Sequence, residues 1–154
     1  MLNKTVKKRR SLKQKTARNF KKSVSVKSFE KEITVQFLQM LIMIKLFHWK
    51  THSYATHKAT DELYSNLNEH MDKFIEVLLG KTNTRIDLTS HKSISLIDLN
   101  SQEQLKQKIM GFKSYLVNLS NNKSLIQMSN TDLFNIRDEI LSDMNQFLYL
   151  LTFK

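Results

Sequence analysis

Among its 154 residues the chain has no proline and only two glycines, Gly80 and Gly111. β-Sandwiches and barrels reverse direction about every 8–12 residues and rely on Gly, Pro and Asn to do so at low cost. A chain this poor in turn formers is directed instead toward a few long helices. Hydrophobic residues make up 40% and charged residues 25%, the composition of one globular domain with a core of its own. Cysteine is absent, which excludes disulfides and thiolate metal sites. No apolar run approaches the roughly 20 residues that cross a bilayer, and the N-terminus is too polar for a secretory signal. The expectation is an intracellular protein that does not associate with membranes.

The net charge of +11 is unevenly placed. Residues 1–28 hold 11 Lys or Arg and no acid, leaving 14 basic residues against all 14 acids in residues 29–154. A neutral body carrying a polycationic arm is the division this implies. The arm has little apolar periodicity and strong self-repulsion, so it is expected to be disordered when free. Lys7, Lys8, Arg9, Arg10, Lys13, Lys15, Arg18, Lys21 and Lys22 are its candidate contacts to nucleic-acid phosphates. With Phe20 as its one aromatic, binding would be blind to sequence and steeply salt-dependent. Lys7-Lys8-Arg9-Arg10 also reads as a nuclear address, the arm as an organelle transit peptide, or the whole as a solubilising tail.

From Phe29 onward apolar residues recur at helical steps. Ile33, Phe37, Met40, Leu41, Ile44 and Phe47 predict a helix over about 30–52. Ala59, Leu63, Leu67, Met71, Phe74 and Leu78 predict a second over about 54–79, stopped by Gly80. Residues 81–100 read as a long crossover, with room for a short helix near 92–98. Ser101 followed by Gln104 is a capping-box pattern opening a third helix over about 101–121, with Leu105, Ile109, Phe112, Leu116 and Leu119 inside. Leu133, Ile136, Ile140, Met144, Phe147 and Leu151 predict a fourth over about 129–152, capped by Ser129 or Asn130. Two helices, a crossover and two more helices make an all-α four-helix bundle of ferritin-like layout.

The second helix carries an unusual outer strip. At roughly 100° per residue, with His57 at zero, Asp61 falls near ~40°, Asp72 near ~60° and Glu76 near ~100°, away from an apolar stripe near ~280°. Asp72 and Glu76 lie ~6 Å apart along the axis, close enough for one cation, whereas Asp61 and Asp72 are ~16 Å apart. If the helix pairs antiparallel with a two-fold copy, His57 and Asp61 of one subunit face Asp72 and Glu76 of the other, and two equal sites result. His48 could complete the imidazole side. Such mixed ligands suit Fe(II), with Zn and Mn as alternatives. The intrasubunit di-iron pattern, Glu-x-x-His on two helices, is excluded. Lys45, Trp49, Tyr54, Leu67 and Leu88 stand three positions before the five histidines.

The stretch His48-Trp49, His57, Asp61, Leu63-Tyr64, Asp72, Glu76 resembles the signature of Dps, the DNA-binding mini-ferritins of starved bacteria. The resemblance implies a dodecameric shell built from two-fold dimers. His48, His57 and Asp61 of one subunit would meet Asp72 and Glu76 of its partner at a ferroxidase centre, with iron as substrate and stored cargo. From His57 through Glu76 the spacing agrees residue for residue. Between His48 and His57 this chain is about three residues shorter than the family's usual segment, so His52 stands as the alternative to His48. The shortened form, HWKTHSYATHKA followed by FIEVLLGK, is similar to Dps-like proteins of phages and large DNA viruses.

Blander readings compete. An acidic strip is commonly a solvated helix face, and His70 and His91 read as surface residues. Trp49 reads as a core or interface aromatic. Met40, Met43, Met71, Met110, Met128 and Met144 read as packing residues. Asp132, Asp138 and Asp143 could line an ion entry or simply be solvated. Two functions remain in view. One is a mini-ferritin that oxidises and stores iron and binds DNA through its arm. The other is an oligomeric DNA-packaging protein that keeps the fold without catalysis.

Overall fold

In the computed structural model the backbone is described for residues 2–153 and the side chains for residues 26–153. Four long helices account for most of it: α1 (Leu2–Lys50), α2 (Tyr54–Thr82), α3 (Gln102–Asn118) and, after a short connecting helix α4 (Lys123–Ile126), α5 (Thr131–Leu150). A 3-10 turn at Leu119–Asn121 joins α3 to α4. No strand occurs among the described residues.

Hydrogen bonds between elements fix the topology. Thr51–Ser53 reverse the chain between α1 and α2. The crossover, residues 83–101, then runs along α1 from Glu30 to Lys50. Thr84 Oγ1 donates to Glu30 (2.9 Å), Gln39 Nε2 donates to the Ser95 carbonyl (3.0 Å), and Lys50 Nζ reaches Asp98 (2.9 Å) and Asn100 (2.7 Å). α3 therefore starts beside the start of α2, where Thr56 Oγ1 donates to Gln102 (3.3 Å). It ends beside the acidic stretch of α1, where the Tyr115 hydroxyl donates to Glu32 (3.1 Å). Burial, with the Glu32 charge adding to it, pushes that hydroxyl's pKa well up. α5 returns along α2 from the Lys81–Asp132 ion pair (2.8 Å) to the Leu151 carbonyl, which accepts from Gln102 (3.2 Å). The result is an up-down-down-up bundle.

The predicted stripes line its core. Leu63, Leu67, Met71, Phe74 and Leu78 of α2, with Leu105, Ile109 and Leu116 of α3 and Leu133, Ile140, Met144 and Phe147 of α5, are all buried. They pack against Phe29, Ile33, Phe37, Met40, Met43, Ile44 and Phe47 of α1. Each such side chain contributes about 1.5–3 kcal/mol by leaving water. Met110 departs from expectation and lies on the surface.

Several boundaries differ from the sequence reading, each for a local reason. α1 begins at Leu2, so the arm expected to be disordered continues the helix as backbone. Lys, Arg, Gln and Leu are good helix formers, and no Pro or Gly interrupts them. α2 runs past Gly80 to Thr82 because Asn83, not the glycine, adopts the left-handed cap (φ 51°) and returns its N–H to the Leu79 carbonyl. Residues 92–98 are not helical; the segment follows α1, bonded to it through the Ser95 carbonyl and the Asp98 side chain. At α3 the capping box forms as predicted on one side, Gln104 N–H to Ser101 Oγ (3.2 Å), while Gln104 reaches back to the N–H of Asn100 (2.8 Å). Asn130 occupies the N-cap position of α5 but its side chain does not cap the helix; its amide donates instead to the Leu125 carbonyl (2.9 Å).

Candidate metal centre

The short α1–α2 connection brings the last turn of one helix against the first turn of the next. Ser53 caps α2 by accepting from the N–H of Thr56 (3.2 Å), which lets the helix begin at Tyr54 and places His57 beside His48. The two rings stack with centroids 3.9 Å apart and planes 23° from parallel. Each ring also bonds to the other's backbone. His48 Nδ1 meets the His57 carbonyl, and His57 Nδ1 meets the His48 carbonyl, both at 3.0 Å. The His48 carbonyl belongs to the last turn of α1, where carbonyls lack a partner within the helix, so His57 acts as a cap as well.

A carbonyl can only accept, so each Nδ1 carries the proton. The lone pair of each neutral ring is therefore on Nε2. This is the arrangement in which imidazoles bind metals, one nitrogen donating to a fixed carbonyl and the other free to coordinate. Thr60, fully buried, reinforces it. Its hydroxyl lies 3.3 Å from His48 Nδ1 and 2.8 Å from the Thr56 carbonyl to which it donates.

Asp61, one turn beyond His57, points its Oδ1 to within 3.8 Å of His48 Nε2. That is too long for a hydrogen bond but within the span of two metal–ligand bonds of about 2.1 Å each. Lys45, one turn before His48, places its ammonium 3.7 Å from the same oxygen, 4.6 Å from the Tyr64 ring centroid and 6.0 Å from that of Trp49. A cation entering beside Asp61 has this ammonium to displace. Sequence reasoning missed Lys45 and Thr60 as parts of the site. Their one-turn spacing from His48 and His57 was the available signal.

The structure thus brings His48, His57 and Asp61 together and leaves Asp72 and Glu76 farther along α2. Those two are exposed and make no side-chain hydrogen bond or ion pair among the described residues. No three of His, Asp or Glu within the described chain converge closely enough to hold a metal ion. His52, the alternative to His48, is exposed on the connection, whereas His48 is only 7% exposed. Trp49 stands 69% exposed next to the site, not in the core. Beside Asp72, a groove of about 210 Å³ between α1 and α2 is lined by Phe37, Leu38, Leu41, Met71 and Ile75.

Other singled-out groups have structural partners. His70, expected on the surface, is partly buried between α2 and α5 with its Nδ1 2.7 Å from Asp143. Asp138 pairs with Arg137 at 2.7 Å and Asp132 with Lys81 at 2.8 Å. His91 is exposed. The side chains of Lys7, Lys8, Arg9, Arg10, Lys13, Lys15, Arg18, Lys21 and Lys22 lie outside the described residues. No helix among the described residues is long and apolar enough to cross a membrane.

Fold and site together define a four-helix bundle with a histidine–carboxylate cluster at the junction of its first two helices. The chain belongs to DUF5856, a family of unknown function, which it matches over residues 48–151. The matched region opens on His48 and takes in His57, Asp61, Asp72 and Glu76, leaving the basic arm outside. No curated protein and no solved structure matches the chain.

Proposed function

We propose that this protein is a Dps-like mini-ferritin, which binds and oxidises Fe(II) at a site shared between two-fold-related subunits and binds DNA through its basic arm. The observation that carries the reading is the reciprocal lock between His48 and His57, which leaves both Nε2 atoms free to coordinate, that of His48 3.8 Å from Asp61. In the antiparallel dimer, Asp72 and Glu76 of the partner supply the remaining carboxylates. The apolar groove beside Asp72 and the exposed Trp49 are the surfaces such a dimer would cover. The up-down-down-up bundle with its long crossover is the layout of ferritin-like proteins, and a dodecameric shell is the assembly that follows. The basic arm, repeated around an oligomer, gains avidity for DNA beyond that of a single copy.

Iron is the substrate. Each of two Fe(II) ions gives one electron to hydrogen peroxide, which takes up two protons and leaves as two waters. Carboxylates favour the more highly charged ferric product, and the imidazoles hold the ion without adding negative charge. The deciding experiment is anaerobic Fe(II) titration of the assembled protein followed by stoichiometric peroxide, read by ferric absorbance. Saturable binding with oxidation well above the buffer rate is the expected result. Oxidation at the buffer rate overturns the catalytic reading.

One observation favours a second reading. The Lys45 ammonium already neutralises Asp61 from within the same chain. A DNA-packaging oligomer that keeps the fold without oxidising iron would retain this pair. It would lose DNA condensation on removal of residues 1–28 and show no metal-dependent oxidation.

A further inference from the structure

A second concave site lies at the far end of the bundle, where the basic arm meets the body. A cavity of about 320 Å³ opens between α1 and the start of the crossover. Lys27, Lys31 and Arg85 line it, together with the carboxylates of Glu30 and Asp87. Its size is within the roughly 300–1,000 Å³ of small-ligand sites.

The charges are unequally committed. Glu30 is buried and accepts from Thr84 Oγ1 at 2.9 Å. Asp87 accepts from the backbone N–H (3.1 Å) and hydroxyl (2.6 Å) of Thr89 and lies 3.8 Å from Lys31 Nζ. The Thr89 hydrogen bonds, with Lys31 assisting, hold its carboxyl below the usual carboxylate range. Lys27 and Arg85 have no acidic partner among the described residues. Arg85 makes only a backbone contact, from Nη1 to the Thr84 carbonyl at 2.8 Å. Both side chains are exposed. A planar guanidinium and an ammonium on one cavity, without carboxylates of their own, are the donors that phosphate groups recruit. Lys27 is also the last of the 11 basic residues in residues 1–28, so positive charge runs without an intervening acid from the arm to the cavity mouth.

We infer that this cavity seats a phosphodiester group of a nucleic acid bound along the arm, held by Lys27 and Arg85, so that arm and body form one phosphate track. The inference rests on the DNA-binding part of the proposed function. Its test uses the full chain and a short fluorescent DNA duplex, with affinity measured by anisotropy across a range of KCl concentrations. Each neutralised phosphate contributes about 0.9 to the salt slope. The K27A/R85A variant is expected to lower that slope by about 0.9 and to weaken binding at ~0.1 M salt by about tenfold, with melting temperature unchanged. K27R/R85K should restore the slope. An unchanged slope in K27A/R85A overturns the inference. If the wild-type protein does not bind DNA at low salt, the arm reading fails separately, and calorimetric titration with inorganic pyrophosphate decides the cavity. Saturable binding lost in K27A/R85A assigns it to a free phosphate ligand, and no binding eliminates it.

Discussion

The two halves of α2 carry the same kinds of side chain on the same outer strip and treat them differently. In the first half, His57 and Asp61 are tied to α1 through a buried hydroxyl, two backbone carbonyls and a neighbouring ammonium. In the second half, Asp72 and Glu76 stand in solvent, with no ion pair or side-chain hydrogen bond among the described residues. The histidines of the first group have their tautomer and direction fixed by their own chain. The second has no constraint beyond its helical position, and in the proposed dimer its partners would come from the other subunit. Half of the proposed centre is therefore pre-organised and half waits on assembly.

That contrast can be broken most decisively at the waiting half. Asp72→Ala or Glu76→Ala should reduce peroxide-dependent Fe(II) oxidation to the buffer rate while leaving thermal unfolding within the small range of surface substitutions, about ±0.5 kcal/mol. Oxidation at the wild-type rate in both variants would place the chemistry elsewhere. Substitution on the inner face of the same helix should do the reverse. Phe74→Ala, at a fully buried position packed edge-on against Phe37 at 5.5 Å, should cost about 3–5 kcal/mol in urea unfolding.

The pre-organised half is sharpened by Thr60→Val, which keeps the side chain's shape and removes the hydroxyl. The expected cost is about 0.5–1.5 kcal/mol of stability, with metal affinity falling by about tenfold as His48 loses part of its support. Isothermal titration with Fe(II) or Zn(II) measures the second effect. Lys45→Met keeps the apolar stem and removes the competing charge. Divalent cations should then bind several-fold more tightly, in line with the ~0–1 kcal/mol of an exposed ion pair. Unchanged affinity would show that the ammonium does not oppose metal entry.

The smallest effect belongs to the Lys81–Asp132 pair at the far end of α2. The hydrogen bond from Lys81 holds the Asp132 carboxyl below its ordinary value of 3.8. A depressed carboxylate stabilises the folded state above its unfolded pKa, and that contribution fades as pH falls through the folded value. Asp132→Asn should thus cost no more than ~1 kcal/mol at neutral pH. The difference from wild type should vanish in denaturation measured well below pH 3.8.

The helices and their inner faces were legible because burial imposes a period that propensity alone does not. Phe74, Ile109 and Met144 declare themselves by spacing and prove fully buried. The carboxylate strip was legible for the same geometric reason. What sequence could not convey was anything decided by an approach between segments. That His48 and His57 exchange hydrogen bonds with each other's carbonyls depends on how closely a three-residue connection folds back. The partner of His70 is 73 positions away. The C-terminal end of α2 was misread because a Gly signal was preferred to an Asn three residues later, and both can take the left-handed cap.

The crossover has one further consequence, for how the chain can be altered. Its anchors on α1, from Glu30 to Lys50, are separated by about 30 Å of helix at ~1.5 Å per residue. The stretch from Thr84 to Asn100 could extend to about 53 Å at ~3.3 Å per residue. The segment carries slack, and doubling the length of a loop adds only about 0.6 kcal/mol of closure entropy. Residues 90–94, between the anchors and exposed except for Ile94, are where a tag, a protease site or new chain termini can be placed without disturbing the bundle or the histidine pair at its end.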